Sequence, residues 1–344
     1  MTKVAVALSG GIDSAVTAAL LIEQGYEVVG ITAKMLCSED FELVCKNAKK
    51  VADKLNIEHY VLDISKEFED KVVKYFENSY REGKTPNPCI MCNKYIKWGF
   101  LFDYSINELK ADYIATGHYA DIKEENGIYK LYPASDEFKD QLYFLFSLSQ
   151  NQLSRTLFPL SKYKKSEVKL LAEKYDLPPK SAKESQDICF IKYPMTTKKY
   201  LNNLFDAQKG EFVEKSTGKV LGYHEGFWQY TIGQRKGIGI AAPEALYVVD
   251  IDAKKNVVYV GYQNELFEEE LILNDIHWNF DFKENSIRAL IKIRYNMQAI
   301  EGTIIKQDEK WLVKFDKPVS AITKGQACVI YDINDGHLLG GAWI

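Results

Sequence analysis

The chain has 344 residues, 46% of them hydrophobic and 27% charged, with a formal net charge of −4 and six cysteines. That excludes a disulfide-stapled small domain, a low-complexity chain and a uniformly basic nucleic-acid binder, and it leaves room for two or three domains with cores of their own. No apolar run reaches membrane-spanning length and no signal-peptide pattern precedes the first strand, so a reducing cytoplasm is the expected compartment.

Taken in chain order, the first half alternates apolar runs with amphipathic patterns. A buried strand is predicted over 4–8, a helix over about 14–24 ended by Gly25, and a strand over 28–32. A helix over 40–55, a strand over 60–62, helices around 66–81 and 94–109, and a strand over 113–116 follow. Strands alternating with helices of this length imply parallel βαβ units and a doubly wound α/β sheet. Ligands of such sheets sit beyond the carboxyl ends of the strands, where Ser9, the 85–93 loop and Gly117-His118 should converge. Asn126-Gly127 reads as a hairpin turn.

From about 154 the chain turns helical and basic. Residues 161–200 hold ten lysines against five acids, among them Lys162, Lys164, Lys165, Lys198 and Lys199. Taken alone, that is a solvated helix face; a phosphate-tracking surface needs independent support. Beyond about 205 short β patterns dominate, at 287–295, 302–305, 311–315 and 327–330, and their spacing predicts a small antiparallel barrel. The expected domains are 1–200, 201–265 and 266–344, with 154–184 able to pack with the central one.

Two segments carry chemistry. Ser9-Gly10-Gly11-Ile12-Asp13-Ser14 joins the first strand to the first helix. Adjacent glycines let a ligand approach the backbone, the helix start offers free N–H groups to an anion, and Asp13 can hold Mg²⁺. It is neither a Walker loop nor a dinucleotide fingerprint. Thr85-Pro86-Asn87-Pro88-Cys89-Ile90-Met91-Cys92-Asn93 reads as a stiff loop, with Asn93 capping a helix that begins at Lys94. Cys92 would then face a helix N-terminus beside Lys94, a setting that favours the thiolate.

The glycine loop resembles the signature of the ATP pyrophosphatase (PP-loop) superfamily. Thr85-Pro86-Asn87-Pro88, Cys92-Asn93, Ala115-Thr116-Gly117-His118-Tyr119, Lys139-Asp140-Gln141, Cys189-Phe190-Ile191, Gly233-Gln234-Arg235-Lys236-Gly237 and Arg294-Tyr295 occur in this order. Together they resemble the tRNA-specific 2-thiouridylase family (MnmA/TrmU) over nearly the whole chain. The resemblance implies a PP-loop domain followed by a small central domain and a C-terminal β-barrel. It also implies ATP-dependent adenylation of the C2 oxygen of a tRNA wobble uridine and its replacement by sulfur.

Carried over by position, Ala7, Leu8, Ser9, Gly10, Gly11, Ile12, Asp13, Ser14, Ala33 and Gly117 would bind ATP with Mg²⁺. Asn87, Pro88 and Cys89 would meet the base. His118, Lys139, Asp140, Gln141, Arg294, Tyr295 and Gln326 would touch the tRNA. Cys189 would carry a persulfide and Cys92 would attack it, freeing sulfide or closing a disulfide. A sulfur-donor or relay protein of a cysteine desulfurase system is implied, with no membrane partner and a monomer when free.

The chain departs from the family at two points. Ala33 stands where the family often has Met near the adenine. Cys89 stands where many members have Asp, so Cys89, Cys92 and Cys189 resemble the three-cysteine set of iron–sulfur tRNA thiolases, which can hold a [4Fe–4S] cluster. Zinc held by Cys37, Cys45, Cys89 and Cys92 is a third option, although Cys37-x7-Cys45 is a loose pair. Plainer readings stand beside these: a buried, hydrogen-bonded His118, ordinary strand positions for Arg294 and Tyr295, a core Cys328, and no chemistry at Cys37 or Cys45. Rival functions are an ATP-dependent amide synthetase on the same sheet and a non-catalytic tRNA-binding module.

Overall fold

The computed structural model describes residues 1–36, 38–178, 188–191 and 194–344. Its first sheet is parallel, in the order β3-β2-β1-β4-β7: β1 (Lys3–Ala7), β2 (Glu27–Lys34), β3 (His59–Asp63), β4 (Tyr113–Ala115) and β7 (Thr156–Leu157). Two-residue alternation sorts each strand between two cores. Val4 and Val6 face one cluster with the small-residue helix α1 (Ile12–Glu23), while Ala5 faces the other. The strand order reverses on either side of β1, so the crevice between the carboxyl ends of β1 and β4 is the topological switch point.

Helix α2 (Glu39–Leu55) covers β2, and α3 (65–81) carries a π-type turn at Glu69–Val73. The expected loop-then-helix at 85–94 is corrected. Helix α4 (88–107) begins at Pro88, which takes the first helical position, where its missing N–H costs nothing, with Asn87 as N-cap. From Cys92 to Leu101 α4 winds as a π-helix. The antiparallel hairpin β5 (Asp121–Glu125) and β6 (Ile128–Tyr132) turns at Asn126-Gly127, both at positive φ.

After the short helix α5 (Gln150–Leu153), α6 (Lys165–Lys174) packs through Val168 and Ala172 into the cluster around α1. Helix α7 (Thr197–Leu204) leads into a four-stranded sheet ordered β10-β11-β8-β9. Its strands are β8 (Gly210–Glu214), β9 (Val220–His224), β10 (Tyr247–Asp252) and β11 (Val257–Gly261). The C-terminal unit is a seven-stranded antiparallel sheet ordered β12-β16-β15-β14-β17-β18-β13. It comprises β12 (Phe267–Leu273), β13 (His277–Trp278), β14 (Ser286–Lys292), β15 (Ile300–Gln307), β16 (Lys310–Ser320), β17 (Ala327–Asp332) and β18 (Leu338–Trp343).

Strand β14 stops at Lys292, so Arg294 and Tyr295 lie in the following turn and not in a strand. One face of β17, through Ala327, Val329 and Tyr331, joins the catalytic-domain core, and the other, with Cys328 and Ile330, fills the barrel core. No described helix is long and apolar enough to cross a membrane.

Candidate active site

The glycine loop is held by its own serines. The Ser14 hydroxyl accepts from the Ser9 N–H at 3.1 Å and donates to the Gly11 carbonyl at 3.0 Å, and the two hydroxyls lie 3.2 Å apart. Gly10 sits at φ +71, and a Cβ there would meet Asn47 Cβ and the Val44 carbonyl at 2.9 Å, so α2 presses directly on the loop. Gly117 is needed for approach: a Cβ would come within 2.9 Å of Asp13 Cβ and 3.0 Å of the Ser14 nitrogen. The carboxyl end of β4 thereby lies against the start of α1.

Ala7 closes β1, Leu8 is buried and bonds back to Ile31, and Ile12 opens α1. Ala33 is buried on β2, opposite Leu62 of β3. Asp13 has both carboxylate oxygens 2.7 Å from Lys165 Nζ and accepts from the Tyr119 hydroxyl at 3.0 Å.

Cys89 and Cys92 occupy the first turns of α4, where a three-residue spacing sets both on one face. Phe190, wedged edge-on against Phe68 and Phe76 of α3 and Tyr200 of α7, anchors the turn that carries Cys189. Cys92 is buried, while Cys89 and Cys189 are exposed, and all five described cysteines are free.

The three thiols share one recess. Cys89 and Cys189 keep exposed surface, but the atoms crowded around their thiols desolvate them: desolvation first, then the proximity of Cys92 and Cys89, pushes Cys189 up to about 12. Burial pushes Cys92 up to about 11, and the same desolvation raises Cys89. The sequence-based expectation of an activated Cys92 is therefore corrected: it lies beyond the first helical turn, and desolvation dominates. Asn93 is no cap either; it is buried and donates through Nδ2 to the Phe144 carbonyl at 3.0 Å.

The cation that opposes the rise at all three thiols is Lys97, not Lys94, whose ammonium lies over the Tyr95 ring. Lys97 follows Cys92 by five residues, the repeat of the π-helix that joins them. Its Nζ is 3.2 Å from His118 Nε2, and His118 Nδ1 is 2.8 Å from Thr116 Oγ1. Burial, followed by Lys97, drives the His118 pKa well below its ordinary value, so the ring is neutral. A neutral ring accepting from Lys97 at Nε2 carries its proton on Nδ1 and donates it to Thr116. Neither Lys97 nor Lys165 was singled out as a site residue in the sequence; a π-helical i, i+5 pairing leaves no mark in an α-helical reading.

The residues expected at the tRNA are spread along the domain seams. The Arg294 guanidinium donates to the carbonyls of Ile232 (3.1 Å) and Ala321 (2.6 Å) and to Thr323 Oγ1 (2.5 Å). The Tyr295 hydroxyl donates to the Asp140 carbonyl at 3.0 Å. Gln326 Nε2 donates to the Thr85 carbonyl at 2.8 Å, and the Thr85 N–H donates to the Lys324 carbonyl at 2.8 Å, so the barrel grips the segment that leads to Pro88. Gln141 Oε1 accepts from the Tyr119 N–H at 3.1 Å. Asp140 accepts from the N–H groups of Ala134 and Leu142, and burial raises its carboxyl to about 6. Lys139 is half-buried, and the adjacent Phe138 is 95% exposed. Asn87 and Pro88 stand at the head of α4 beside Cys89.

Two tests bear on metals. Of the zinc set, Cys37 lies outside the described residues, and Cys45, on α2 near Lys34 and Asp63, forms no ligand group with Cys89 and Cys92. Cys89, Cys92 and Cys189 are not all within 4.8 Å of one another, which is too open for a single ion. An iron–sulfur cube takes each thiolate on a different iron, so a three-thiol recess flanked by one cation fits it.

Family models match the whole length: a "tRNA methyl transferase HUP domain" over 2–193, a "tRNA methyl transferase PRC-barrel domain" over 198–262 and an "Aminomethyltransferase beta-barrel domain" over 268–344. The chain is 44% identical to the tRNA-specific 2-thiouridylase MnmA of Clostridium acetobutylicum, over 99% of both proteins. It is 45% identical to MnmA 1 of Thermoanaerobacter sp. (strain X514), over 96% of this chain and 94% of that one. Among solved structures, the U34-tRNA thiolase NcsA of Methanococcus maripaludis with its [4Fe-4S] cluster is 27% identical, with a TM-score of 0.38 over 55% of this chain and 61% of that one. Matched along nearly its full length by the three family models and by these two 2-thiouridylases at 44–45% identity, the chain belongs to the tRNA-specific 2-thiouridylase family.

Proposed function

We infer that this protein is an ATP-dependent tRNA sulfurtransferase that converts the wobble uridine to 2-thiouridine. The observation that carries the reading is the link between the two: Lys97, which faces three cysteines from two distant segments, pairs with His118, and the adjacent Gly117 lies against Asp13 and Ser14 of the ATP-type loop. ATP would lie across the switch point, its polyphosphate on Gly10, Gly11 and the start of α1, with Asp13 holding Mg²⁺. The uridine O2 would attack the α phosphorus and pyrophosphate would leave. Sulfide would then add at C2 and AMP would depart with the oxygen. Adenylation turns a poor leaving group into a good one, and the loop N–H groups meet the charge that develops on phosphate.

Cys89, Cys92 and Cys189 would hold a [4Fe–4S] cluster, whose fourth iron is open to carry sulfide. Lys97 would offset the charge of the gathered thiolates, and the burial of Cys92 keeps water from the site. A second reading, a persulfide relay, is favoured by one observation: Cys189 is exposed, within reach of a donor, while Cys92 is buried behind it. A donor of the cysteine desulfurase type would supply the sulfur, and the protein would work as a cytoplasmic monomer when free. Asn87, Lys139 and Phe138 would meet the RNA, whose bases stack on exposed aromatics, while the buried Pro88 would only set the helix start that positions Asn87.

Anaerobic reconstitution with iron and sulfide tests the cysteine set. The expected result is a broad visible absorbance and bound iron, both lost in Cys89→Ser. Colourless, iron-free protein that still thiolates tRNA would replace the cluster by the relay. Pyrophosphate release with ammonia or a small acid and without RNA would point to an amide synthetase instead.

A further inference from the structure

The segment that leads into α4 runs through a seam of all three domains, and a cleft of about 910 Å³ opens beside it. Gly83, at φ +75, lets the chain lie against the central sheet there: a Cβ would meet Ile251 Cγ2 at 3.1 Å and Ala253 Cβ at 3.2 Å. The barrel holds the other side, through the bond from the Thr85 N–H to the Lys324 carbonyl. The walls are cationic although the chain as a whole carries −4. Arg81 and Lys84 come from the catalytic domain, Lys215 and Lys254 from the central domain, and Lys324 from the barrel. The acids that line the cleft are Glu82, Asp250 and Asp252.

These acids do not neutralise the walls. Glu82 takes Lys84 at 2.7 Å, and Asp252 is drawn off by Lys255 at 3.3 Å. Asp250 is left to two ammonium groups from two domains, Lys215 Nζ 3.8 Å from one oxygen and Lys324 Nζ 3.5 Å from the other. Both distances exceed those of a good charge-assisted hydrogen bond. Arg81, held over the Phe205 ring at 5.3 Å, and the exposed Lys254 add further positive charge. One carboxylate loosely shared by two ammonium groups leaves room for a second anion, and lysine and arginine donors suit phosphate oxygens.

We propose that this three-domain cleft is a phosphate-binding site separate from the glycine loop, filled by the backbone of the substrate RNA or by a free polyphosphate anion. Its RNA form rests on the reading that the protein thiolates tRNA. A phosphate there would tie the central domain and the barrel to the segment that carries Cys89.

Two measurements on the full-length protein separate the sources: filter binding of tRNA over a range of salt, and calorimetric titration with inorganic tripolyphosphate. The variants have opposite expected signs. Lys215→Met combined with Lys324→Met should weaken binding about three- to tenfold, and for RNA should lower the slope of log affinity against log salt by about 1–2. Asp250→Asn, which removes the competing carboxylate, should tighten the same ligand about threefold. These paired changes with tRNA name the RNA backbone as the occupant, and with tripolyphosphate they name the free anion. If neither ligand responds, the lysines are only solvated surface and the proposal is overturned. Weaker binding in both variants would overturn it as well, as damage to the seam. Parent protein that binds no tRNA would sink the tRNA reading, and tripolyphosphate would still decide the cleft.

Discussion

Lys97 Nζ lies 3.2 Å from Nε2 of His118, a buried neutral imidazole whose other nitrogen faces Thr116. Trp98 and Phe158 pack around the ring, with centroids 5.3 and 6.1 Å away, and keep it dry. The histidine thus aims the lysine, and the lysine carries the positive charge at the thiols. His118 belongs to the interior in this structure, and its expected contact with tRNA would have to be indirect.

Lys97→Met should raise the pH at which the thiols react. A cation favours the thiolate, so its removal moves ionisation upward from values that burial has already raised. Iodoacetamide labelling of Cys92 in metal-free protein should be slow at neutral pH, speed up as pH climbs toward 11, and fall about tenfold in the variant at any one pH below about 10, a change of one pKa unit. An unchanged profile would place Lys97 outside the thiol field.

Asp140 offers a stability test with a definite sign. Burial raises its carboxyl from 3.8 to about 6, so the native state binds the proton more tightly than the unfolded chain. The destabilisation is absent below about pH 4, grows between the two values and is complete above about 6. Asp140→Asn removes the charge but keeps an acceptor for only one of the two N–H groups, so it costs a hydrogen bond at every pH; relative to the parent it should nevertheless be about 1–2 kcal/mol better at pH 8 than at pH 4, allowing for partial exposure. Urea melts at the two pH values measure that difference, and a difference independent of pH would contradict it.

Phe138 stands 95% exposed between Glu137 and Lys139. If it stacks on an RNA base, Phe138→Ala should weaken tRNA binding by about 1–3 kcal/mol in a filter-binding titration. MgATP affinity and thermal stability should not change. Unaltered tRNA affinity would remove the residue from the interface.

Much of the catalytic frame was legible because its signals are local. Gly10, at positive φ and pressed by α2, marks a position that needs glycine, and the β-then-helix alternation specifies a parallel sheet. Pro88 was read as a loop residue although proline also suits the first position of a helix, and that choice displaced the cap from Asn87 to Asn93. The partners of Asp13 and Arg294 were not legible. Lys165 is 152 residues from Asp13, and Arg294 spends its donors on carbonyls of two other segments. Such pairings are set by how domains dock, and motifs record only which side chains are present. Cys92 shows the same limit: its helical address was nearly right, but burial reversed the expected direction of its pKa.

The most direct test is nucleoside analysis of tRNA incubated with the protein, MgATP and a sulfur donor. The expected product is 2-thiouridine at the wobble position, dependent on ATP and absent with Cys92→Ser and with Cys189→Ser. Full thiolation by either variant, or no thiolated uridine from an ATP-binding, tRNA-binding wild-type protein, would contradict it.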